Sequence, residues 1–281
     1  MASHKVQADD EILLRLMNEI YILCNSVVLN QEYVLQLQGI CWDVPSRSSP
    51  GMLQDDKVWP VLVFQKAPFG DLYRFAQGSI GQGIEFTMRW RICVEIGGAL
   101  AHMQTQYIIH GYIKPENILI FKGEEDGDLE FTAKVADFGF SIWRGYESTS
   151  VTVPRSWPWY APECDLNPRF TCSQAFRTDV FSYGLLCLWF IFEKHFSAIP
   201  ITAEDGTLYP GPSNSSLRFL DKLKKDDTLL SYAMQLVQRD ETLNATEKQW
   251  LHTLFSGSLA CDPATRAADV WTLLSKVNGK P

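Results

Sequence analysis

The middle of the chain constrains the fold more than any other part of the sequence. Two short apolar runs, Asn117 to Phe121 and Phe131 to Val135, flank the acidic stretch 123–128. Apolar runs of this length, separated by a polar stretch that contains glycine, are typical of two paired strands. The sequence therefore predicts a β-hairpin with a solvated tip. Polar motifs border this hairpin, His110 to Asn117 on one side and Asp137 to Gly139 on the other.

Hydrophobic periodicity predicts that the rest of the chain is mainly helical. The predicted elements before the hairpin are a helix at 10–24, strands at 33–37 and 58–64, and a long helix at about 86–106. Asp9 or Asp10 is placed to cap the first of these helices. Beyond Pro162 every segment is predicted to be a helix or a connection between helices. These elements indicate an α+β fold with more helix than strand.

The charge balance argues against nucleic acid as a ligand. The 281 residues include 25 Lys and Arg against 33 Asp and Glu, which gives a formal net charge of -8. A surface with this balance does not attract a phosphate backbone or an anionic membrane. We therefore expect no nucleic-acid partner.

The cysteines and the apolar segments indicate the cellular compartment of such a chain. Its seven cysteines are odd in number and scattered, with no C-x-x-C pair, as expected for reduced thiols. The N-terminus has no apolar segment of the kind found in signal peptides. The most apolar stretch, Tyr183 to Phe192, is about half of the roughly 20 residues that span a bilayer. We expect a cytoplasmic or nuclear protein without a membrane span.

A glycine-rich segment, Gly78 to Gly83, raises the question of a phosphate-binding loop. Such a loop follows a strand and has a nearby lysine, whereas this segment follows a helical pattern and has none. We interpret it as a connection between helices.

Three short motifs occur in a characteristic order. The first reads His-Gly-Tyr-Ile-Lys-Pro-Glu-Asn over residues 110–117, and Asp137-Phe138-Gly139 and Ala161-Pro162-Glu163 follow it. In this order and at these distances they resemble the catalytic loop, the D-F-G motif and the A-P-E motif of the eukaryotic protein kinase family. The resemblance covers nearly the whole chain and implies a bilobal fold with a mainly helical C-lobe. The segment 154–159 is also similar to kinase-like proteins of filamentous fungi.

The resemblance assigns roles to residues around the hairpin. Asn117 and Asp137 would be the oxygen ligands of magnesium, which bridges the phosphates of ATP in this family. Lys114 would neutralise charge on the transferring phosphoryl group. ATP and magnesium are therefore the implied cofactors.

Further roles fall on the larger, helical part of the chain. Asp179 would open a buried helix, and Glu163 of the A-P-E motif would form an ion pair with Arg266.

Roles in nucleotide binding fall on the N-terminal part. Glu19 takes the place of the helix C glutamate, and Phe64, Gln65 and Ala67 resemble the gatekeeper and hinge. Lys5 precedes Glu19 by fourteen residues, which is close to the family spacing for the lysine that pairs with this glutamate. Residues 4–6 would then be the remainder of a strand. The alternative is an ordinary solvated lysine.

Two residues depart from the kinase pattern at the catalytic loop. Tyr112 occupies the place of the aspartate that accepts the proton of the substrate hydroxyl. A phenol has a pKa of about 10 and is a poor base at neutral pH, where an aspartate with a pKa of about 3.9 is ionised. Gly111 replaces the arginine that holds a phosphorylated activation loop. Catalysis and switching by the common routes are therefore not expected.

The N-terminal part is also shorter than a kinase N-lobe, because only eighteen residues precede Glu19. We expect residues 1–65 to form a partial N-lobe, with helix C and two or three strands, and residues 66–281 to form the C-lobe. No glycine-rich loop would cover the phosphates, so we expect weak or absent binding of ATP and magnesium.

These observations favour a catalytically impaired, pseudokinase-like domain that acts as a binding or scaffold module for a protein partner. The alternative is a serine/threonine-type kinase that is weakly active or is completed by further N-terminal sequence. Strands at 33–37 and 58–64 would also lack neighbours on one side, and exposed edges recruit partners or aggregate. We therefore expect self-association through the N-terminal part, or a partner that adds strands there.

Overall fold

The structure is a computed structural model, which describes residues 2–29, 31–43, 58–123, 131–143, 150–167, 169–198, 201–202, 208–209 and 214–277. Of residues 2–9 it describes the backbone alone.

Helices make up most of the described chain. In chain order they are α1 (Ala2–Leu23), α2 (Leu72–Gln77), α3 (Ser79–Gly83), α4 (Phe86–Thr105), α5 (Glu163–Leu166), α6 (Cys172–Ile191), α7 (Glu193–Ser197), α8 (Asn214–Lys225), α9 (Leu229–Arg239), α10 (Ala245–Ser258) and α11 (Val270–Val277). Short 3-10 turns at Pro115–Asn117 and Pro263–Thr265 connect other elements.

The strands form two-stranded antiparallel sheets. In chain order they are β1 (Leu37–Asp43), β2 (Trp59–Phe64), β3 (Ile108–Ile109), β4 (Ile118–Lys122), β5 (Phe131–Val135), β6 (Ile142–Trp143), β7 (Ile201–Thr202) and β8 (Leu208–Tyr209). The pairs are β1 with β2, β3 with β6, β4 with β5, and β7 with β8. Mixed strands and helices, with helix predominant, confirm the α+β fold class.

The hairpin at the middle of the chain is confirmed. Strands β4 and β5 pair in a register that sets Ile118 opposite Val135 and Lys122 opposite Phe131. Strand β5 turns alternate residues into the core, and Ile118 and Ile120 of β4 do the same, while Phe121 is buried in a second, smaller cluster. The predicted acidic tip lies mostly outside the described residues.

The first helix differs from the prediction at its start. Helix α1 begins at Ala2 instead of near Asp10, so neither Asp9 nor Asp10 caps it and both lie within the helix. The residues at 4–6 are therefore helical, and the prediction that they are the remainder of a strand is wrong.

The predicted strand at 33–37 is displaced along the chain. Strand β1 begins at Leu37, and the residues just before it join the hairpin instead of β2. The Leu35 amide donates to the Val135 carbonyl at 2.9 Å, and the Val135 amide donates to the Tyr33 carbonyl at 2.8 Å. Val34 and Leu35 are buried, so their apolar pattern reflects packing against β5.

The glycine-rich segment is a short helix, α3, instead of the predicted connection. Gly81 is required for packing, because a Cβ there would lie 2.0 Å from the Phe75 carbonyl oxygen of α2. The buried Arg89 guanidinium then donates to the Gly81 carbonyl at 2.7 Å. The groups of this segment are therefore used in contacts within the protein.

Helix α6 lies at the centre of the larger part, and nearly all of its residues from Thr178 to Phe190 are buried. It begins at Cys172, capped by Thr171 in a capping box with Gln174, so the prediction that Asp179 opens it is wrong. Asp179 lies two turns inside the helix, where its carboxylate accepts from the His110 amide at 2.8 Å and the Gly111 amide at 2.9 Å.

The seven cysteines, all of which lie in the described part, form no disulfide. No helix in the described ranges combines the length and the apolar character that crossing a membrane requires.

The predicted ion pair between Glu163 and Arg266 is confirmed. The guanidinium forms two parallel bonds to the carboxylate, Nη1 to Oε1 at 2.7 Å and Nη2 to Oε2 at 2.9 Å. Three backbone carbonyls also accept from the same guanidinium, those of Ala260, Cys261 and Arg177. The Arg266 side chain is fully buried, so the pair fixes α5 to the segment before α11.

We expect Glu163→Ala to destabilise the protein by about 3 kcal/mol, because the change leaves the charge of Arg266 buried without a counterion. The measurement is the free energy of unfolding in urea, with Glu241→Ala, at an exposed glutamate, as the control. Equal effects of the two changes would contradict this expectation.

Candidate functional site

The hairpin places two of the predicted site residues side by side. Its register sets Ile118 opposite Val135, so Asn117, which directly precedes Ile118, and Asp137, two residues after Val135, lie at the same end. The Ala136 amide donates to the Asn117 carbonyl at 2.8 Å, the Asn117 side-chain amide donates to the Tyr112 carbonyl at 2.8 Å, and the nearby Asn117 side chain acts to lower the pKa of Asp137. Asp137 has a φ of 64°, which residues with a side chain rarely adopt. Such a conformation is found mainly where the surrounding structure enforces it, often at functional sites.

The carboxylate of Asp137 lies in a partly buried setting. Burial raises its pKa, while the Gly139 amide, Lys114, Asn117 and Arg15 act to lower it. Glu19, from α1, is a second carboxylate at this place. Burial and the charge of Asp137 raise the pKa of Glu19, and the Phe138 amide donates to it at 3.4 Å. Two carboxylates therefore face each other at the start of the D-F-G motif.

Two aromatic rings, with a cation at each end, form a row that includes Tyr112. The guanidinium of Arg15 lies 4.2 Å from the ring centre of Phe140. The Phe140 and Tyr112 ring centres are 4.6 Å apart. Beyond them the Lys114 ammonium lies 4.5 Å from the Tyr112 ring centre and 3.5 Å from its hydroxyl. Tyr112 thus contacts both Phe140 and Lys114, in the place that the resemblance gives to the catalytic base.

Helix α1 is fastened to the D-F-G motif by polar side chains. The Asn18 amide group donates to the carbonyls of Phe138, Gly139 and Ser141 at 3.1, 3.2 and 2.6 Å. A Cβ at Gly139 would lie 3.4 Å from the Arg15 Cβ, so the helix backbone approaches this glycine closely. The position of Glu19 is therefore set by its neighbour Asn18.

Lys5 does not join this site. It lies in the same continuous helix as Glu19, and fourteen residues of α-helix separate their Cα atoms by about 21 Å along the axis. This distance exceeds the combined reach of the two side chains, so the predicted pairing of Lys5 with Glu19 is wrong.

The predicted hinge residues lie next to the end of the hairpin that carries Asn117 and Asp137. Phe64 and Ala67 pack with Leu119 against a small buried cluster formed by Leu35, Phe121 and Ala136. Gln65 between them is exposed. Since Ala136 directly precedes Asp137, the structure brings these two hinge positions close to the candidate metal ligands.

Gly111 is held in a conformation that suits glycine. Its φ is 72°, in the left-handed region where a side chain is strained. A Cβ there would already touch the Phe140 carbonyl and Pro154 at 3.6 Å each. The arginine that the kinase pattern places here would be strained by this backbone.

The donors at this end of the hairpin fit a magnesium ion. Asn117 and Asp137 offer amide and carboxylate oxygens, which magnesium prefers, and a divalent cation would offset the repulsion between Asp137 and Glu19. They do not form a closed cage, and no cluster of three or more His, Cys, Asp or Glu ligands occurs in the described ranges. Magnesium commonly completes such a site with water and substrate phosphates.

The sequence did not single out Arg15, Asn18 or Phe140. Two of these residues could have been suspected of making contacts. Arg15 and Asn18 are polar residues one turn apart on the helix face that also carries the buried Ile22. Polar residues on a buried face have partners, but periodicity cannot name those partners.

Comparisons with known proteins agree with this geometry. Residues 3–217 match the family model described as protein tyrosine and serine/threonine kinase. Wall-associated receptor kinase-like 14 of Arabidopsis thaliana is 31% identical over 186 residues, which cover 63% of this chain and 22% of that protein. Wall-associated receptor kinase-like 1 of the same plant is 27% identical over 246 residues, which cover 82% of this chain and 29% of that protein.

A probable serine/threonine-protein kinase of Dictyostelium discoideum is 32% identical over 129 residues, which cover 46% of this chain and 23% of that protein. The chain spans under a third of the length of each of these three relatives.

We expect Glu19→Gln to stabilise the protein at pH 8, because the raised pKa of Glu19 means that its ionised form is disfavoured in the folded state. In the wild-type protein, Glu19 lowers the free energy of unfolding as the pH rises from 4.5, the ordinary pKa of a glutamate, through the raised pKa of Glu19 in the folded state. The gain in melting temperature should therefore shrink between pH 8 and pH 5. The control is Glu116→Gln at an exposed site. A gain that does not depend on pH would contradict this cause.

Proposed function

The chain belongs to the protein tyrosine and serine/threonine kinase family, and from this membership we propose that it is a catalytically impaired, kinase-like domain that binds a protein partner. It is related in sequence to serine/threonine kinases. Binding instead of phosphate transfer is the proposal.

The observation that carries the proposal is the packing of Tyr112. A general base accepts the hydroxyl proton of the substrate and contributes about 10² to 10⁴ in rate. Here a phenol stands in that position, between the ring of Phe140 and the ammonium of Lys114. The same contacts fill the space that an incoming hydroxyl would need.

The other groups of the site support nucleotide binding more than transfer. Kinases of this family use ATP and magnesium, and the metal, when bound, neutralises charge on the phosphates. Asn117 and Asp137 would hold it. The Lys114 ammonium would donate to a phosphate oxygen, but its contact with the Tyr112 ring competes with that role.

The helix α1 provides no cover for the phosphates of ATP. The described residues before Glu19 are all helical, so none of them forms a strand or a glycine-rich loop over Asp137. We propose that ATP binds weakly, because the contact of Lys114 with the Tyr112 ring competes with its contact to a phosphate.

The second candidate is a weakly active serine/threonine-type kinase. Retention of Asn117 and Asp137 in contact with each other favours it, because a module that only binds proteins needs no such pair. In this case a substitute base would have to reach the substrate past Tyr112.

A strand-adding protein is the partner that the N-terminal sheet suits. Strands β1 and β2 pair only with each other among the described residues, and apolar side chains are exposed on both faces, including Ile40, Trp42, Val61 and Val63. A two-stranded sheet is marginally stable alone, so an added strand would stabilise it.

We expect no measurable transfer of phosphate to generic protein substrates, because Tyr112 cannot act as the base. The measurement is a radiometric assay of wild type beside Tyr112→Asp and Asp137→Ala. Activity in wild type that disappears in Asp137→Ala would overturn the proposal and support the second candidate.

We expect ATP with magnesium to bind with a dissociation constant above roughly 1 mM, which corresponds to about -4 kcal/mol. Calorimetry and thermal shift measure it, with Asp137→Ala as the variant and Asp240→Ala as a control away from the hairpin. A micromolar, magnesium-dependent constant that is lost in Asp137→Ala would show a competent nucleotide site.

A further inference from the structure

Helix α1 turns its polar side chains toward the body of the protein. Arg15, Asn18 and Glu19 contact the segment 138–141 through the bonds described above. One turn further on, Ile22 and Leu23 are buried in the core. An ordinary surface helix exposes its polar face to water. In α1 the face that carries these polar residues packs against the protein instead.

The opposite face of α1 is apolar and mostly exposed, although Ile20 is half-buried and the Tyr21 ring centre lies 5.3 Å from that of Trp143. Its residues, here named the α1 stripe, are Leu13, Leu14, Met17, Ile20, Tyr21 and Cys24. Leu14, Met17 and Tyr21 are 66%, 58% and 55% exposed. A continuous row of large apolar side chains in water is unusual in a monomer and marks an interaction surface.

The spacing of the α1 stripe matches the seam of a helix pair. Apolar residues recur at steps of three and four, which is the pattern of helices that pack side by side. A depression of about 500 Å³ on the stripe is lined by Met17, Ile20, Tyr21, Cys24 and Asn25. The first four stand at i, i+3, i+4 and i+7, and four residues at this spacing form the hole that receives a side chain of a facing helix.

The same helix carries a suitable side chain for this hole. Leu14 is the most exposed of the large apolar residues of α1 and lies one turn before the depression. In an antiparallel pair centred on Met17, residue 14 of one copy stands opposite residue 20 of the other. Each copy would then insert its Leu14 into the hole of its partner, as a two-fold axis requires.

Charge selects the antiparallel arrangement. Asp10 is the charged residue at the N-terminal end of the stripe, seven residues before Met17, and Cys24 lies seven residues after it. A parallel pair would set the two Asp10 carboxylates against each other, which is unfavourable. An antiparallel pair sets Asp10 opposite Cys24 and separates the two charges.

We propose that the α1 stripe is the interface of a homodimer, in which a second copy of this chain packs its own α1 antiparallel across it. This interface is a helix face, separate from the edge of β2, and it does not depend on whether the chain transfers phosphate. One helix pair buries less area than the roughly 1,200 Å² typical of stable complexes, so the dimer forms weakly and in a concentration-dependent way.

Sedimentation equilibrium over a range of concentrations tests the interface. Leu14→Glu should weaken the dimer by at least about tenfold, because it places a charge in the apolar hole. The matched control is Ile12→Glu, which changes a 52% exposed residue on the other side of the same helix. It should leave dimerisation unchanged. A monomer at every concentration, or a dimer that both changes weaken equally, would overturn the proposal.

Crosslinking tests the register with a readout that does not depend on affinity. In a Cys41→Ser background, which removes the other exposed thiol, Asp10→Cys provides a second thiol on the stripe. A short bismaleimide should join position 10 of one copy to position 24 of the other, as identified by mass spectrometry of the linked peptides. Links from 24 to 24 would show a parallel pair, and the absence of links between copies would show that something other than a second copy covers the stripe. Either result would overturn the proposal.

Discussion

The carboxylate of Asp179 supports the part of the molecule on which the site depends. It lies inside the buried helix α6 and accepts the backbone amides of His110 and Gly111. Burial raises its pKa to about 7, a measure of how far it is removed from water. These two bonds fix the start of the catalytic loop, and the hairpin and the D-F-G motif follow from there. His110 adds a contact between its ring and Phe138, with ring centres 5.3 Å apart.

Some residues of the site match the kinase pattern, and others depart from it. The hairpin register keeps Asn117 and Asp137 together, as a metal site needs. The row from Arg15 through Phe140 and Tyr112 to Lys114 fills the adjoining space with rings and cations. Side chains that would handle a substrate hydroxyl and a phosphate are thus in contact with each other. The proposed loss of transfer follows from this packing as much as from the lost carboxylate.

The N-terminal part is attached to the rest both by polar bonds and by apolar residues such as Ile22, Leu23 and Val34, which are buried in the main core. Asn18 alone donates to three carbonyls of the segment 138–141. Although Ile22 and Leu23 are buried, the other apolar residues of α1, those of the α1 stripe, lie on its outer face, and the sheet of β1 and β2 likewise exposes apolar side chains on both faces. Two separate surfaces are therefore proposed for association, the edge of the β1–β2 sheet for a partner and the α1 stripe for a second copy.

The sequence determined the elements whose signal is local. The hairpin and the long helix α4 could be read from periodicity, because strand and helix patterns repeat within a few residues. The pairing of Glu163 with Arg266 was implied by the resemblance of the motifs to the kinase family. The start of α1, the joining of 33–35 to β5 and the position of Asp179 within α6 could not be read from the sequence, because tertiary contacts select among several acceptable local conformations. Only the three-dimensional packing showed that Tyr112 lies between Phe140 and Lys114 and that the apolar face of α1 points outward. A hydrophobic period gives the spacing of a face, and the direction of that face depends on which distant residues offer it hydrogen bonds.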